Sequence, residues 1–223
     1  MTLVEPASSL TDFALGILAL FAAARLSARG ADDPHWRWFF AWIGIVAIWG
    51  GFHHGFIVGH EAAAKISWSA ISMMVAIAIS YLLAASVNSV LGKGRGQPLL
   101  IVRGISLAVF FSLVVSGNAS VTTLLLTEGL AMAIVLALWV HAWQKEQPGV
   151  SLVLAAIVFS MLAAAVKASS VQFNMGGWEF DPNSLYHVAQ MPGMLLLLIA
   201  IRRRADAMEK QYLSINGGVT VQA

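Results

Sequence analysis

The chain has 223 residues, 59% of them hydrophobic and only 11% charged, with a formal net charge of +2 and a mean hydropathy of +0.78. A soluble domain carries about 25% charged residues, so this chain has too little polar surface to coat a water-soluble globule, and its composition is that of an integral membrane protein. A net charge this small does not suggest nucleic acid, and the absence of cysteine excludes disulfides, cysteine-zinc sites and thiol nucleophiles.

A membrane span needs about 20 apolar residues. Seven such stretches follow one another, at about 10–28, 38–59, 67–91, 98–117, 120–143, 149–171 and 183–202. They predict an all-α, seven-transmembrane helix bundle. No Lys or Arg stands between Met1 and Leu10 ahead of the first apolar run, unlike a cleavable signal peptide, so the first helix is expected to stay. The connections read as polar or glycine-rich punctuation: Ala31-Asp32-Asp33-Pro34, His60-Glu61, Gly92-Lys93-Gly94-Arg95-Gly96, Ser116-Gly117-Asn118, Gln147-Pro148-Gly149 and Met175-Gly176-Gly177. There is no internal repeat and no soluble domain. Residues 1–204 read as one helical domain and 205–223 as a short tail that frays.

Basic residues concentrate in cytoplasmic connections. All of them except Lys65 and Lys167 fall on the side of the C-terminus, including Arg29, Lys93, Arg95 and Arg202-Arg203-Arg204. The N-terminus is therefore expected outside and the C-terminus in the cytoplasm. The arginine triplet reads as an anchor and topology signal. Trp36, Trp38, Trp68, Trp143 and Trp178 stand near span ends, as an aromatic belt requires. The absence of a targeting segment fits a bacterial inner membrane best.

With that direction, the polar residues of the spans gather toward the outer side. Asp12 opens the first helix, and His53, His54 and His60 close the second. Glu128 lies in the outer part of the fifth, Lys167 and Ser170 end the sixth, and Asp181, Asn183, His187 and Gln190 open the seventh. Ionisable groups inside a membrane are costly and mark function by default, so a polar cavity is expected at that end. Asn183, His187 and Gln190 step by four and three and share one helix face. His53 and His54 point about 100° apart and are expected to have different jobs. Gly50, Gly51 and Gly55 around them permit close approach of a neighbouring helix. Structural readings stand beside the functional ones. The histidines serve equally as interhelical hydrogen-bonding groups, and Glu128 as an ion-pair partner of Lys167 across adjacent helices. Thr11 or Asp12 reads as a cap of the first helix, and Asp181-Pro182-Asn183 as a helix start with proline in the first turn.

Three pieces together, Thr11-Asp12, Gly51-Phe52-His53-His54-Gly55 and Tyr186-His187-Val188-Ala189-Gln190, resemble an uncharacterised family of small seven-helix membrane proteins known as a domain of unknown function. That resemblance spans nearly the whole chain and implies a fold but no activity. More distantly, the layout is similar to the superfamily of alkaline ceramidases and progestin/adiponectin-type receptors, which implies seven helices around an intramembrane zinc. Carried over by position, His54 (or His53) and His187 would be metal ligands. The sequence departs from that pattern. Gly50 and Trp49 stand where a serine precedes the helix 2 histidine, Met191 stands where the second helix 7 histidine belongs, and the third helix has no aspartate.

Three functions follow from these residues. The leading one is a binding protein without catalysis, its cavity holding a lipid or small ligand oriented by Asn183, Gln190 and Ser170. The alternative is a zinc-dependent hydrolase of a lipid amide or ester. There His54 and His187 would be ligands, Asp12, Asp181 or His53 the third ligand, and Glu128 or Asp12 the general base. A lower alternative is a haem-binding subunit with His54 and His187 as axial ligands, although no second pair exists on the inner side. Transport has little support, because the polar groups do not cross the membrane and no inverted repeat is present.

Overall fold

The computed structural model describes residues 3–28 and 33–217. It contains seven helices long and apolar enough to cross a membrane. They are α1 (Pro6–Ser27), α2 (Pro34–Phe52), α3 (Glu61–Leu91), α4 (Gln97–Val115), α5 (Val121–Gln144), α6 (Val150–Lys167) and α7 (Pro182–Gly217). Proline occupies the first turn of α1, α2 and α4, where its missing N–H is no loss. The first three helices begin several residues ahead of the apolar stretches, because Pro6, Pro34 and Glu61 start helix before the hydrophobic run does. α6 ends at Lys167, earlier than the sequence suggests. α7 continues through the expected tail to Gly217. Arg29, the Ala31-Asp32 connection and the end of the expected tail lie outside the described residues.

Two local departures from α-helix were not legible as such. A single π-helical turn, His53–Ile57, extends α2, with the Val58 N–H donating to the His53 carbonyl. Between α6 and α7 lies an antiparallel hairpin, β1 (Phe173–Met175) and β2 (Trp178–Phe180). Its two-residue turn is Gly176-Gly177, both at positive φ, the conformation that favours glycine in tight hairpins.

α1 packs between α2 and α7, and α7 also lies along α6. α3 joins α2 to α4 and α5, and α5 closes onto α6. Small residues on α1 and α2 allow their close contact, and the apolar core runs from Leu15, Ala19 and Phe40 through Leu83 and Val135 to Val153 and Leu197. α4 is peripheral, with few buried residues.

The end of the bundle far from the N-terminus is locked by one arginine. Arg204 is 8% exposed, unlike its exposed neighbour Arg203. Its guanidinium donates to the Pro148 carbonyl (2.9 Å), the Ser89 carbonyl (2.7 Å) and Gln147 Oε1 (3.0 Å), and lies 5.2 Å from the Trp139 ring centroid. Trp139 donates to Ser86 Oγ and Trp36 to Ser89 Oγ. Trp36 is thus a core residue, not part of an aromatic belt, and Arg204 ties α7 to α3 and to the α5–α6 connection rather than serving only as a charge. Truncating it removes three hydrogen bonds and the Trp139 contact. Arg204→Ala is expected to lower the unfolding free energy by about 3 kcal/mol, read as a melt several degrees lower in detergent, while Arg203→Ala leaves the melt unchanged.

Candidate functional site

The opposite end of the bundle gathers polar side chains from α1, the π turn, α6 and α7. The π turn widens the helix just where His53 and His54 stand, a deformation often found at functional sites. The residues ahead of α1 close over it: the Val4 and Glu5 amides donate to the Gly55 and His54 carbonyls at 3.0 and 3.1 Å. Glycine makes the approach possible. A Cβ on Gly50 would stand 2.5 Å from Asp12 Oδ2, and one on Gly55 would stand 2.8 Å from Ser9 Oγ. Ser9 in turn donates to the Gly51 carbonyl.

Asp12 is buried between two imidazoles. Its Oδ1 lies 3.2 Å from His187 Nε2, and its Oδ2 lies 3.9 Å from His54 Nε2. The sequence reading of Asp12 as a helix cap fails because α1 starts at Pro6, which puts Asp12 in the second turn, facing α2 and α7. The Thr11 hydroxyl donates its hydrogen back to the Ala7 carbonyl at 2.8 Å. Its Oγ1 also lies 3.2 Å from His187 Nδ1.

His54 belongs to a hydrogen-bond chain whose direction is fixed. Lys167 can only donate, and it does so to Asn183 Oδ1 at 2.8 Å. Asn183 therefore presents its NH2 group to His54 Nε2 at 2.9 Å. His54 Nε2 accepts, so Nδ1 bears the hydrogen and donates to Glu5 Oε2 at 2.6 Å. Every donor points the same way, from a cation to a carboxylate. Lys167 also lies 4.9 Å from the Tyr186 ring centroid, and Gln190 hydrogen-bonds Tyr186.

The remaining candidates stand elsewhere. His53 turns away from His54, their rings at 87°, and meets Ser67 Oγ at 3.0 Å. It borders a shallow cleft with Trp68, Glu61 and Lys65. Asp181 caps α7: it accepts from the Ser184 amide and the Ser8 hydroxyl, both at 2.8 Å. Burial pushes its carboxyl up, but the Ser184 amide, the Ser8 and Ser184 hydroxyls and His54 outweigh burial and hold it below the usual carboxylate value. Ser170 is exposed beyond the end of α6, and no site contact involves it.

Glu128 is neither the partner of Lys167 nor near Asp12. α5 packs on α3, α4 and α6 but not on α1 or α7. Eleven residues at 100° each bring Glu128 to within about 20° of the bearing of Trp139, the face that binds α3 through Ser86. Glu128 is 2% exposed, and neither carboxyl oxygen has a hydrogen-bond partner among the described residues.

The expected metal set is not assembled. Among the described residues no three His, Cys, Asp or Glu side chains are grouped to hold a metal ion. His53 faces α3, Asp181 is spent on the α7 cap, and both nitrogens of His54 are engaged. Haem does not fit either, since the Asp12 carboxyl fills the space between the two imidazoles. Glu5 and Ser8 are site residues the sequence reading did not single out, and Thr11 and Tyr186 entered it only as a cap candidate and as part of a motif. Glu5 had no helical pattern to place it, and the others looked like ordinary helix-start residues.

Residues 7–206 match the family model DUF6962, described as a family of unknown function, and the chain belongs to that family. No curated protein and no solved structure matches it. The similarity to the ceramidase and receptor superfamily therefore finds no support in these comparisons.

Two outcomes test the roles of the acids. An unpartnered buried carboxyl is a liability, so Glu128→Leu should raise stability by about 1–3 kcal/mol, and a lower melting temperature would refute the orphan assignment. Asp181, held below the usual 3.8, contributes stability that is present above that pH and lost as pH falls through its folded value. Wild-type stability should therefore fall relative to Asp181→Asn on acidification below about pH 4, with parallel curves between pH 5 and 7.

Proposed function

We propose that this protein is a membrane-embedded binding protein, without catalysis, that takes a lipid or small polar ligand at the Asp12, His54 and His187 cluster. The observation that carries this reading is the convergence of Asp12, His54, Lys167, Asn183 and His187, with Glu5 over them, from four separate elements. A buried charged cluster does not stabilise a bundle better than apolar packing would, so its concentration at one end calls for another role. Its donors and acceptors are paired mainly with one another, and a polar ligand would exchange for those internal bonds. Asn183 and Gln190 are neutral groups suited to orienting it. The distribution of basic residues supports an outward-facing site, with the N-terminus outside and the C-terminus in the cytoplasm of a bacterial inner membrane.

Native mass spectrometry of the protein purified in lipid nanodiscs, with elemental analysis of the same sample, tests the reading. Wild type should retain one organic ligand per chain, and His187→Gln and Asn183→Ala should each lose it at least about tenfold, a difference of ~1.4 kcal/mol in binding, while keeping the wild-type elution volume. One zinc per chain, lost in His187→Gln, would overturn the reading in favour of metal chemistry. Bulk lipid alone, equal in all three proteins, would overturn it as well.

A further inference from the structure

The segment joining Lys167 to Asp181 has no part in the cluster, yet it runs from a member of the cluster, Lys167, to the residue that caps α7. Its hairpin is amphipathic. Paired residues on antiparallel strands share a face, and the register pairs Phe173 with Phe180, Asn174 with Glu179 and Met175 with Trp178. One face is therefore Phe173, Met175, Trp178 and Phe180, and the other is Asn174 and Glu179. The apolar face is uncovered: Phe173, Met175 and Trp178 are 45%, 59% and 44% exposed. Phe173 and Phe180 stack on each other, ring centroids 5.4 Å apart, and Phe180 is half-buried. A two-stranded hairpin is marginal in water by itself, and this one touches the bundle only through β2, against α1 and α7.

Its position identifies what covers it. The hairpin emerges where α6 stops and α7 starts, level with the ends of the apolar spans. At that depth acyl chains give way to headgroups, and tryptophan and other amphipathic side chains are favoured there. An element with one apolar and one polar face lies in that layer, its apolar side in the acyl boundary.

We propose that residues 173–180 form an interfacial hairpin whose Phe173, Met175, Trp178 and Phe180 face seats in the lipid boundary while Asn174 and Glu179 face water. The proposal rests on the chain spanning a membrane and is independent of what the Asp12 cluster binds. Seated in this way, the hairpin holds Lys167 and Asp181, one at each end of the segment, at a fixed depth.

The chain has no cysteine, so Met175→Cys and Asn174→Cys each offer one labelling site at an exposed position. An environment-sensitive fluorophore is attached to each, and the full chain is reconstituted in phosphatidylcholine and phosphatidylglycerol vesicles. The label at 175 should emit at shorter wavelength. It should be quenched several-fold more by a lipid nitroxide near the acyl carbonyl than by aqueous iodide, and the label at 174 should show the reverse. Equal iodide quenching at both positions, with none from lipid, would overturn the proposal. Protection of position 175 from both quenchers would overturn it too, in favour of cover by a second protein chain.

Discussion

Placing a carboxyl between two imidazoles in an apolar bundle is the demand that the rest of this end satisfies. Asp12 reaches that position only because α2 has no side chain at residue 50, where a Cβ would come within 2.5 Å of Oδ2. The tight α1–α2 seam follows from this, with Gly16, Gly44 and Gly51 continuing the same close approach. The seam brings His54 beneath Glu5, and α7 completes the enclosure with Asn183 and His187. Each group then finds a partner, as buried polar groups must. The cluster is held by mutual satisfaction and not by any one strong pair.

The two ends of the bundle solve different problems. At the far end a single arginine, stacked on Trp139, gathers acceptors from α3 and the α5–α6 connection. Its role is structural: the acceptors are main-chain carbonyls and one amide, with no second ionisable group among them. At the near end several ionisable side chains, Glu5, Asp12, His54, Lys167 and His187, stand together. Glu128 stands apart from both, a buried carboxyl in a packed helix interface with no hydrogen-bond partner among the described residues.

What the sequence made legible depended on the length scale of the signal. Seven apolar stretches survive as seven helices, because hydropathy summed over a span outweighs local detail. The gathering of His54, Asn183 and His187 was legible from their common end and from helical spacing, and Asp181 as a helix start from the proline that follows it. Pairings across helices were not. Lys167 was expected to meet Glu128, its sequence-adjacent neighbour helix, yet it bonds Asn183, because α7 lies alongside α6 far more intimately than α5 does. Asp12 looked like a cap because serines and a threonine precede it, and the earlier start forced by Pro6 overrides that signal. The hairpin carried a signal that hydropathy hides: Phe-Asn-Met-Gly-Gly-Trp-Glu-Phe alternates apolar and polar residues about a two-glycine turn.

The π turn at His53–Ile57 changes the phase of its helix. An α-helix advances about 100° per residue, and a wide turn absorbs one additional residue, so everything after it is rotated relative to everything before it. Trp49 and His53, four residues apart and not yet past the wide turn, share a face and both reach Ser67 Oγ on α3, while His54, one residue on, is turned toward Asp12. The length of the segment between Gly50 and Gly59 is therefore part of the site's chemistry. Within it, losing one residue would do more than shorten the chain, because it would change the bearing of the two histidines relative to everything that follows them.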